Sequence, residues 1–299
     1  KPRIVAMKTR NALLLLLLTS FIWGFAFVAQ STAAKDIGPF TYNAIRMLLG
    51  ALSLVPFSLK TLRSNIKKEG YTKKLMKGGM ICGCFLAIAS YLQQFGIAYT
   101  TAGKAGFITS LYILFVPVIS LFFGKKNPPR IWICVAIGLI GAYLLSVKDG
   151  FEISKGDLFV FLCAICFSLH ILSIDKFGKD VDAIELSMVQ FATAGAICSI
   201  GMFFFEKPEI SSILSAWIAI LYSGVLSCAV AYTLQVVGQK YLKPAPATLA
   251  LSLESVWAAI GGALILKESM NARELVGCII LFASVIVAQL PAKSEERSK

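Results

Sequence analysis

Eight stretches of the chain contain no Asp, Glu, Lys or Arg: 11–34, 78–103, 105–124, 131–147, 158–174, 186–205, 210–239 and 275–292. A helix that crosses the hydrocarbon core of a bilayer needs about 20 mostly apolar residues, within a range of about 17–25. Each stretch is long enough. Two further apolar segments hold one ionisable group each, 40–59 with Arg46 and 246–266 with Glu254. The expectation is ten spans in an all-α integral membrane protein. A closed β-barrel also satisfies every backbone group in lipid, but its strands alternate over about ten residues. These runs are continuous, which favours helices.

Composition agrees. Of 299 residues, 57% are hydrophobic and 15% charged, and mean hydropathy is +0.77. A soluble domain has about 45–50% apolar and about 25% charged residues. A disordered chain, a collagen-like repeat and a coiled coil are excluded on the same grounds. The net charge of +13 would suggest nucleic acid in a soluble protein. In a membrane protein it reports orientation instead, so no nucleic-acid partner is expected. Cys82, Cys84, Cys134, Cys163, Cys166, Cys198, Cys228 and Cys278 all fall within apolar runs. They read as thiols serving as small apolar residues, not as disulfides of a secreted scaffold. No metal site and no cofactor is expected.

Proline marks expected helix starts at Pro39, at Pro128-Pro129 and at Pro244 with Pro246, because its fixed φ suits the first helical turn. Pro117 lies inside 105–124 and predicts a kink there. Gly78-Gly79, Gly138 with Gly141, and Gly261-Gly262 supply small residues where helices can approach closely. The Leu13–Leu18 run behind Lys8 and Arg10 has no small-residue cleavage site after it, and the apolar stretch continues through Trp23 and Phe27. An uncleaved first span is therefore expected.

Placing the N-terminus in the cytoplasm and alternating puts 21 of the 29 Lys and Arg residues inside and seven outside, with Arg46 in the membrane. The positive-inside rule then predicts a multi-pass protein of the cytoplasmic (inner) cell membrane with both termini cytoplasmic. The polar tails are 1–10 and 291–299. The loop 60–77 carries seven of the inside charges, and anionic membrane lipids are its expected partner.

The chain repeats itself. Residue n matches residue n+142 over 95–125 with six identities and no gap: Gly96/Gly238, Tyr99/Tyr241, Ala105/Ala247, Ser110/Ser252, Leu111/Leu253 and Lys125/Lys267. A shift of 144 sets the first two spans on the sixth and seventh, with Trp23 on Phe167 and Arg46 on Gln190. The expected domains are two five-helix repeats, 11–147 and 157–290. An odd number of spans inverts the second copy. Two inverted copies place a transport site at mid-depth between them and permit alternating access.

Several of these residues form a recognisable combination. They are Trp23-Gly24 in the first span, Arg46 in the context R-x-L-L-G-A-L, and Leu253-Glu254 followed by an apolar helix ending at Lys267-Glu268. The combination resembles the EamA family of the drug/metabolite transporter superfamily, over about 11–290. Family members often read L-E-P-V and, after small and apolar residues, G-E. Here Ser255 stands for the Pro, Lys267 for the Gly, and Lys126 takes the place of the terminal Glu in the first half. The resemblance implies a 5+5 inverted-repeat exporter of small metabolites, often amino acids and related compounds, or of drugs. It also implies coupling to protons or to the substrate gradient.

The residues themselves nominate a site. A carboxylate deep in an apolar span is costly and needs a cavity or a partner. Glu254 therefore either binds a cationic group or proton, or fixes packing through a hydrogen bond. Arg46 is the other charge within a span, and either holds a substrate carboxylate or anchors its helix. Lys104 lies in an expected outer turn, where it lines a vestibule or simply meets solvent. Trp23, Gln30, Tyr91, Gln94, Ser110, Tyr112, His170, Tyr232, Gln235, Ser252 and Trp257 are the polar and aromatic candidates for a pathway. His170 reads as a proton relay or a hydrogen-bonded structural residue. On one helix Glu254, Trp257 and Gly261 share a stripe, with Ser252 to the side. The sequence contains no H-E-x-x-H, no Walker A and no G-x-G-x-x-G, so no enzyme is expected. The expected function is a secondary active transporter for a small-molecule substrate, with protons as a candidate coupling ion. A passive facilitator or channel is the alternative.

Overall fold

A computed structural model describes residues 9–146, 154–267 and 271–289. Most of the expected N-terminal tail, all of the C-terminal tail, the repeat boundary at Val147 and Glu268 lie outside these residues. The described residues are helices and turns, without strands.

The helices are α1 (Thr9–Ala33), α2 (Pro39–Asn65), α3 (Tyr71–Ile97), α4 (Ala102–Ser110), α5 (Tyr112–Phe122), α6 (Pro129–Ser146) and α7 (Lys155–Phe177) in the first part. They continue with α8 (Ala183–Phe205), α9 (Ile210–Ser215) and α10 (Trp217–Leu221). A π-helix over Tyr222–Tyr232 joins α10 to α11 (Thr233–Gln239). Then come α12 (Pro244–Leu251), α13 (Glu254–Ile265) and α14 (Ala272–Gln289).

Among the described residues, eight helical rods are long and apolar enough to cross a membrane, where the sequence led to an expectation of ten. The other two expected spans correspond to α6, with an apolar part Pro129–Leu144, and α14, each of which runs up to the edge of the described residues. The expected end of the last span, Ala292, also lies outside the described residues.

Helix starts follow local chemistry. Pro39 and Pro244 occupy the first turns of α2 and α12, as their spacing predicts. Ser154 opens α7 with a capping box, its hydroxyl accepting from the Asp157 N–H while the Asp157 carboxylate accepts from the Ser154 N–H. Asp182 accepts from the N–H groups of Ile184 and Glu185 at the start of α8.

The break in the fourth rod is at Leu111, between α4 and α5, and not at Pro117, through which α5 continues. The ninth expected span breaks at the matching place, Ser252-Leu253, between α12 and α13. At both breaks a serine hydroxyl donates to the carbonyl three residues back: Ser110 to Phe107 and Ser252 to Leu249, each at 2.8 Å. Such bonds compete with the helical ladder and bend it. The Ser-Leu pair shared by the two halves stands at both breaks, and α5 runs on through Pro117.

Polarity is inside-out relative to a soluble protein. Leu52, Phe122, Phe203 and Leu264 are exposed, while Gln30, Asn43, Arg46, His170, Glu185, Gln190 and Glu254 are buried. The eight cysteines are free thiols, all buried except the exposed Cys84 and half-buried Cys166. Helices α2 and α8 pack together, α3 packs on α7 and α8, α1 on α13 and the π-helix, and α6 on α14. Gly141 makes the α6–α14 approach possible, since a Cβ there would lie 2.7 Å from the Leu281 nitrogen.

Polar contacts gather at the two ends of the bundle. At one end Asn65 and Tyr71 donate to Glu185, and Lys125 and Lys179 pair with Asp175. At the other, Lys104 pairs with Asp157, and Glu206 accepts from the N–H groups of Phe40 and Thr41.

Candidate functional site

Between the two halves lies a cavity lined from nearly every long rod. Helix α1 contributes Trp23, Ala26, Phe27 and Gln30, α2 contributes Arg46, α3 Gln93, α4 Thr109 and α5 Tyr112. From the second half come Phe167, His170 and Ile171 of α7, Ser227 and Tyr232 of the π-helix, Gln235 of α11 and Glu254 of α13. The cavity offers about 30 Å³ to the centres of water molecules, room for about two of them.

The break at Ser252-Leu253 makes Glu254 the first residue of α13. A helix N-terminus is a favourable place for a carboxylate. Glu254 is 3% exposed, its Oε1 has no hydrogen-bond partner, and the unpartnered Tyr112 hydroxyl lies beside it. No ion pair among the described residues includes it.

Arg46 is held from behind. Its Nε donates to Asn43 Oδ1 at 2.8 Å, and Asn43 donates in turn to the carbonyls of Pro39 and Ser90. The guanidinium lies 5.3 Å from the Tyr42 ring centroid. No carboxylate pairs with it among the described residues. Arg46 and Glu254 therefore line one cavity without forming an ion pair. A guanidinium has five N–H donors, so most of its donors remain available to a ligand.

His170 bonds Gln190 Oε1 through Nε2 at 3.0 Å, and its Nδ1 has no partner. The side-chain amide oxygens of Gln30 and Gln235 are also unpartnered. Buried polar groups are normally hydrogen-bonded, and each exception needs an explanation. Five of the orphans belong to cavity-lining residues: Gln30, Tyr112, His170, Gln235 and Glu254. Such a group fits a site that awaits a polar ligand or ordered water.

Of the residues singled out by sequence, the cavity brings together Glu254, Arg46, Trp23, His170, Tyr232, Gln30, Tyr112 and Gln235. The others are elsewhere. Tyr91 stacks on Phe40, with centroids 4.1 Å apart. Gln94 sits one layer behind, donating to the Gln30 carbonyl. Ser110 and Ser252 bond their own helices at the breaks. Trp257 packs on α1, where a Cβ on Gly24 would lie 2.2 Å from Trp257 Cβ. Gly261 faces Val28 and Phe25 on the same stripe. Lys104 is at the bundle end, 2.6 Å from Asp157.

Sequence reasoning missed Gln93, Thr109 and Ser227. Gln93 donates to Thr109 at 3.2 Å, and Trp23 Nε1 donates to the Ser227 carbonyl at 3.4 Å. A signal for Gln93 existed: extending the 142-residue match upstream pairs Leu92-Gln93 with Leu234-Gln235. For Ser227 there was none, because the π-helix that presents its carbonyl has no mark in the sequence.

Known proteins show the same layout. The model of the EamA-like transporter family matches residues 10–147 and again residues 154–289. An uncharacterized transporter of Archaeoglobus fulgidus is 30% identical over 281 residues, which are 92% of this chain and 84% of that protein. The uncharacterized transporter YoaV of Bacillus subtilis is 22% identical over 90% of this chain and 93% of its own. One solved structure superposes with a TM-score of 0.76 at 18% identity, covering 96% of this chain and 99% of the other; at that identity it speaks for the fold. With the family's pattern matched in both halves of one apolar helical bundle, the chain belongs to the EamA-like transporter family, as a multi-pass membrane protein that transports small molecules.

Proposed function

We propose that the protein is a secondary transporter that exports small amphipathic metabolites, amino acids and related compounds or drugs, across the cytoplasmic membrane by alternating access. The observation that carries this reading is the cavity. It holds an unpaired cation, an unpaired carboxylate and several unsatisfied polar groups between rods of both halves. Arg46 suits an anionic group of the substrate and Glu254 a cationic one. Glu254 has two alternative partners, a proton and that cationic group, and exchange of one for the other couples their movements.

Ten spans in two inverted repeats, with both termini cytoplasmic, give this mechanism its scaffold. The packing supports it. Counterparts exchange as α1 with α7, α2 with α8, α3 with the α10–α11 rod, α4–α5 with α12–α13, and α6 with α14. Under that exchange the α3–α7 contact becomes the rod's contact with α1, and α3–α8 becomes its contact with α2. The α1 contacts with α12 and α13 become those of α7 with α4 and α5, while α2–α8 and α6–α14 map onto themselves. The double family match also supports it.

The test is counterflow in proteoliposomes against an amino-acid and drug panel, with and without a pH gradient. Saturable counterflow by at least one compound is expected. Non-saturable flux without counterflow would establish the facilitator, and absence of flux across the panel would sink the proposal.

A further inference from the structure

The basic end of the bundle holds a second concavity, of about 400 Å³, where the α5–α6 turn, the end of α7 and the α11–α12 turn converge. Five lysines line it: Lys125, Lys126, Lys179, Lys240 and Lys243. Asp175 is the one carboxylate in its lining. It is buried and already serves two of the lysines, Lys125 at 2.5 Å and Lys179 at 2.9 Å. Lys240 is fixed in place by donating to the Val181 carbonyl at 2.6 Å. Burial pushes its pKa down, while Asp182 pulls the other way. Lys126, Lys240 and Lys243 have no ion-pair partner among the described residues.

Membrane orientation explains an excess of lysine on this side, but not its convergence. The 60–77 segment meets the orientation requirement with residues contiguous in sequence, on the end of α2, the turn after it and the start of α3. Here, lysines from three turns far apart in sequence surround one hollow, and their mutual repulsion is only partly offset by Asp175. A concave site of one sign concentrates its field, and the lysine ammonium is a point-charge phosphate binder. The exposed Phe122 and Phe123 stand just before Lys125, so the hollow borders the lipid-facing surface.

We propose that this concavity binds a phosphate-type anion, supplied either as a phospholipid headgroup or as a free phosphate-bearing solute. The anion bridges Lys126 on the α5–α6 turn and Lys240 and Lys243 on the α11–α12 turn, and so ties the first half of the chain to the second at this end. The proposal stands independently of the transport reading.

The test uses the full chain, comparing wild type with Lys126→Gln/Lys243→Gln and with a charge-matched control, Lys67→Gln/Lys73→Gln. In the soluble arm, pyrophosphate at about 5 mM is compared with chloride at equal ionic strength, and thermal unfolding in detergent reads the stabilisation that a ligand of the folded state gives. In the lipid arm, phosphatidylglycerol retained from mixed phosphatidylcholine nanodiscs is counted by native mass spectrometry. A rise in Tm with pyrophosphate that the cavity variant loses and the control keeps supports the free-anion source. Loss of bound phosphatidylglycerol in the cavity variant alone supports the headgroup. No specific stabilisation and equal lipid retention across the three proteins overturns the proposal, as does equal loss in the cavity variant and the control. Should the double variant fail to fold, Lys126→Gln alone makes the same comparison.

Discussion

The cavity wall is built twice from matching positions, and the two copies carry different chemistry. Residues 144 apart set Trp23 against Phe167, Ala26 against His170 and Phe27 against Ile171, and residues 142 apart set Gln93 against Gln235 and Tyr112 against Glu254. Every one of these lines the cavity. Other lining residues have counterparts that do not line it, among them Arg46, whose counterpart Gln190 sits behind, bonded to His170. The first half thus contributes the cation and the second half the carboxylate. The different groups at matching positions give the cavity a direction in which to hold a ligand.

The largest test of that difference is Glu254→Gln. A hydrogen bond or ion contact to a charged group contributes about 1.5–3 kcal/mol, so uptake into proteoliposomes should fall roughly 10–100-fold at unchanged purified yield. Tyr112→Phe, at the matching position, should cost much less. Equal losses would mean that the carboxylate has no special role and would dissolve the contrast.

Arg46→Gln, which copies the second half into the first, is expected to raise the KM for carboxylate-bearing substrates about tenfold. It should leave substrates without a carboxylate nearly unaffected. Uniform loss for both classes would make Arg46 an anchor held by Asn43 and Tyr42 rather than a binding group.

Packing differs between the halves as well. Gly24 lies against Trp257, and its counterpart Ser168 already carries a side chain, bonded to the Ala164 carbonyl. Gly24→Ala should destabilise the protein by about 1–3 kcal/mol through overpacking, read as a lower Tm in detergent. Ser168→Gly should have a smaller effect, and a reversed order would show that the α1–α13 contact yields easily.

The smallest expected effect is at the helix ends. Gly124 and Lys267 follow α5 and α13, and both are left-handed, with φ of 72° and 58°. That conformation strains a lysine by about 1–2 kcal/mol and a glycine hardly at all. Lys267→Gly should therefore stabilise by about 1 kcal/mol or less, part of the relief being lost to the freer unfolded chain. A lower Tm would show that the Lys267 side chain makes a contact worth more than the strain.

Much of the fold was legible because lipid is a severe solvent. A backbone with no water to bond must be helical, so apolar run lengths marked out the rods, and Pro39 and Pro244 marked two of their starts. Glu254 and Arg46 stood out for the same reason: a charge within an apolar run needs a purpose. What the runs could not give was depth and facing. Lys104 and Trp257 were plausible by residue type, yet one ends in an ion pair with Asp157 and the other in a helix–helix contact. Gln93 and Gln94 are neighbours in sequence, and the helix turns only the first toward the cavity.

The sequence alone determined the membrane class, the helical rods and the two charges within spans, because each follows from local composition and the cost of polarity in lipid. Only the tertiary structure decided that Arg46 and Glu254 share a cavity without pairing, that Tyr112 meets Glu254 across it, and that lysines from three turns surround one hollow. Those are relations between segments far apart in the chain, and helix packing sets them.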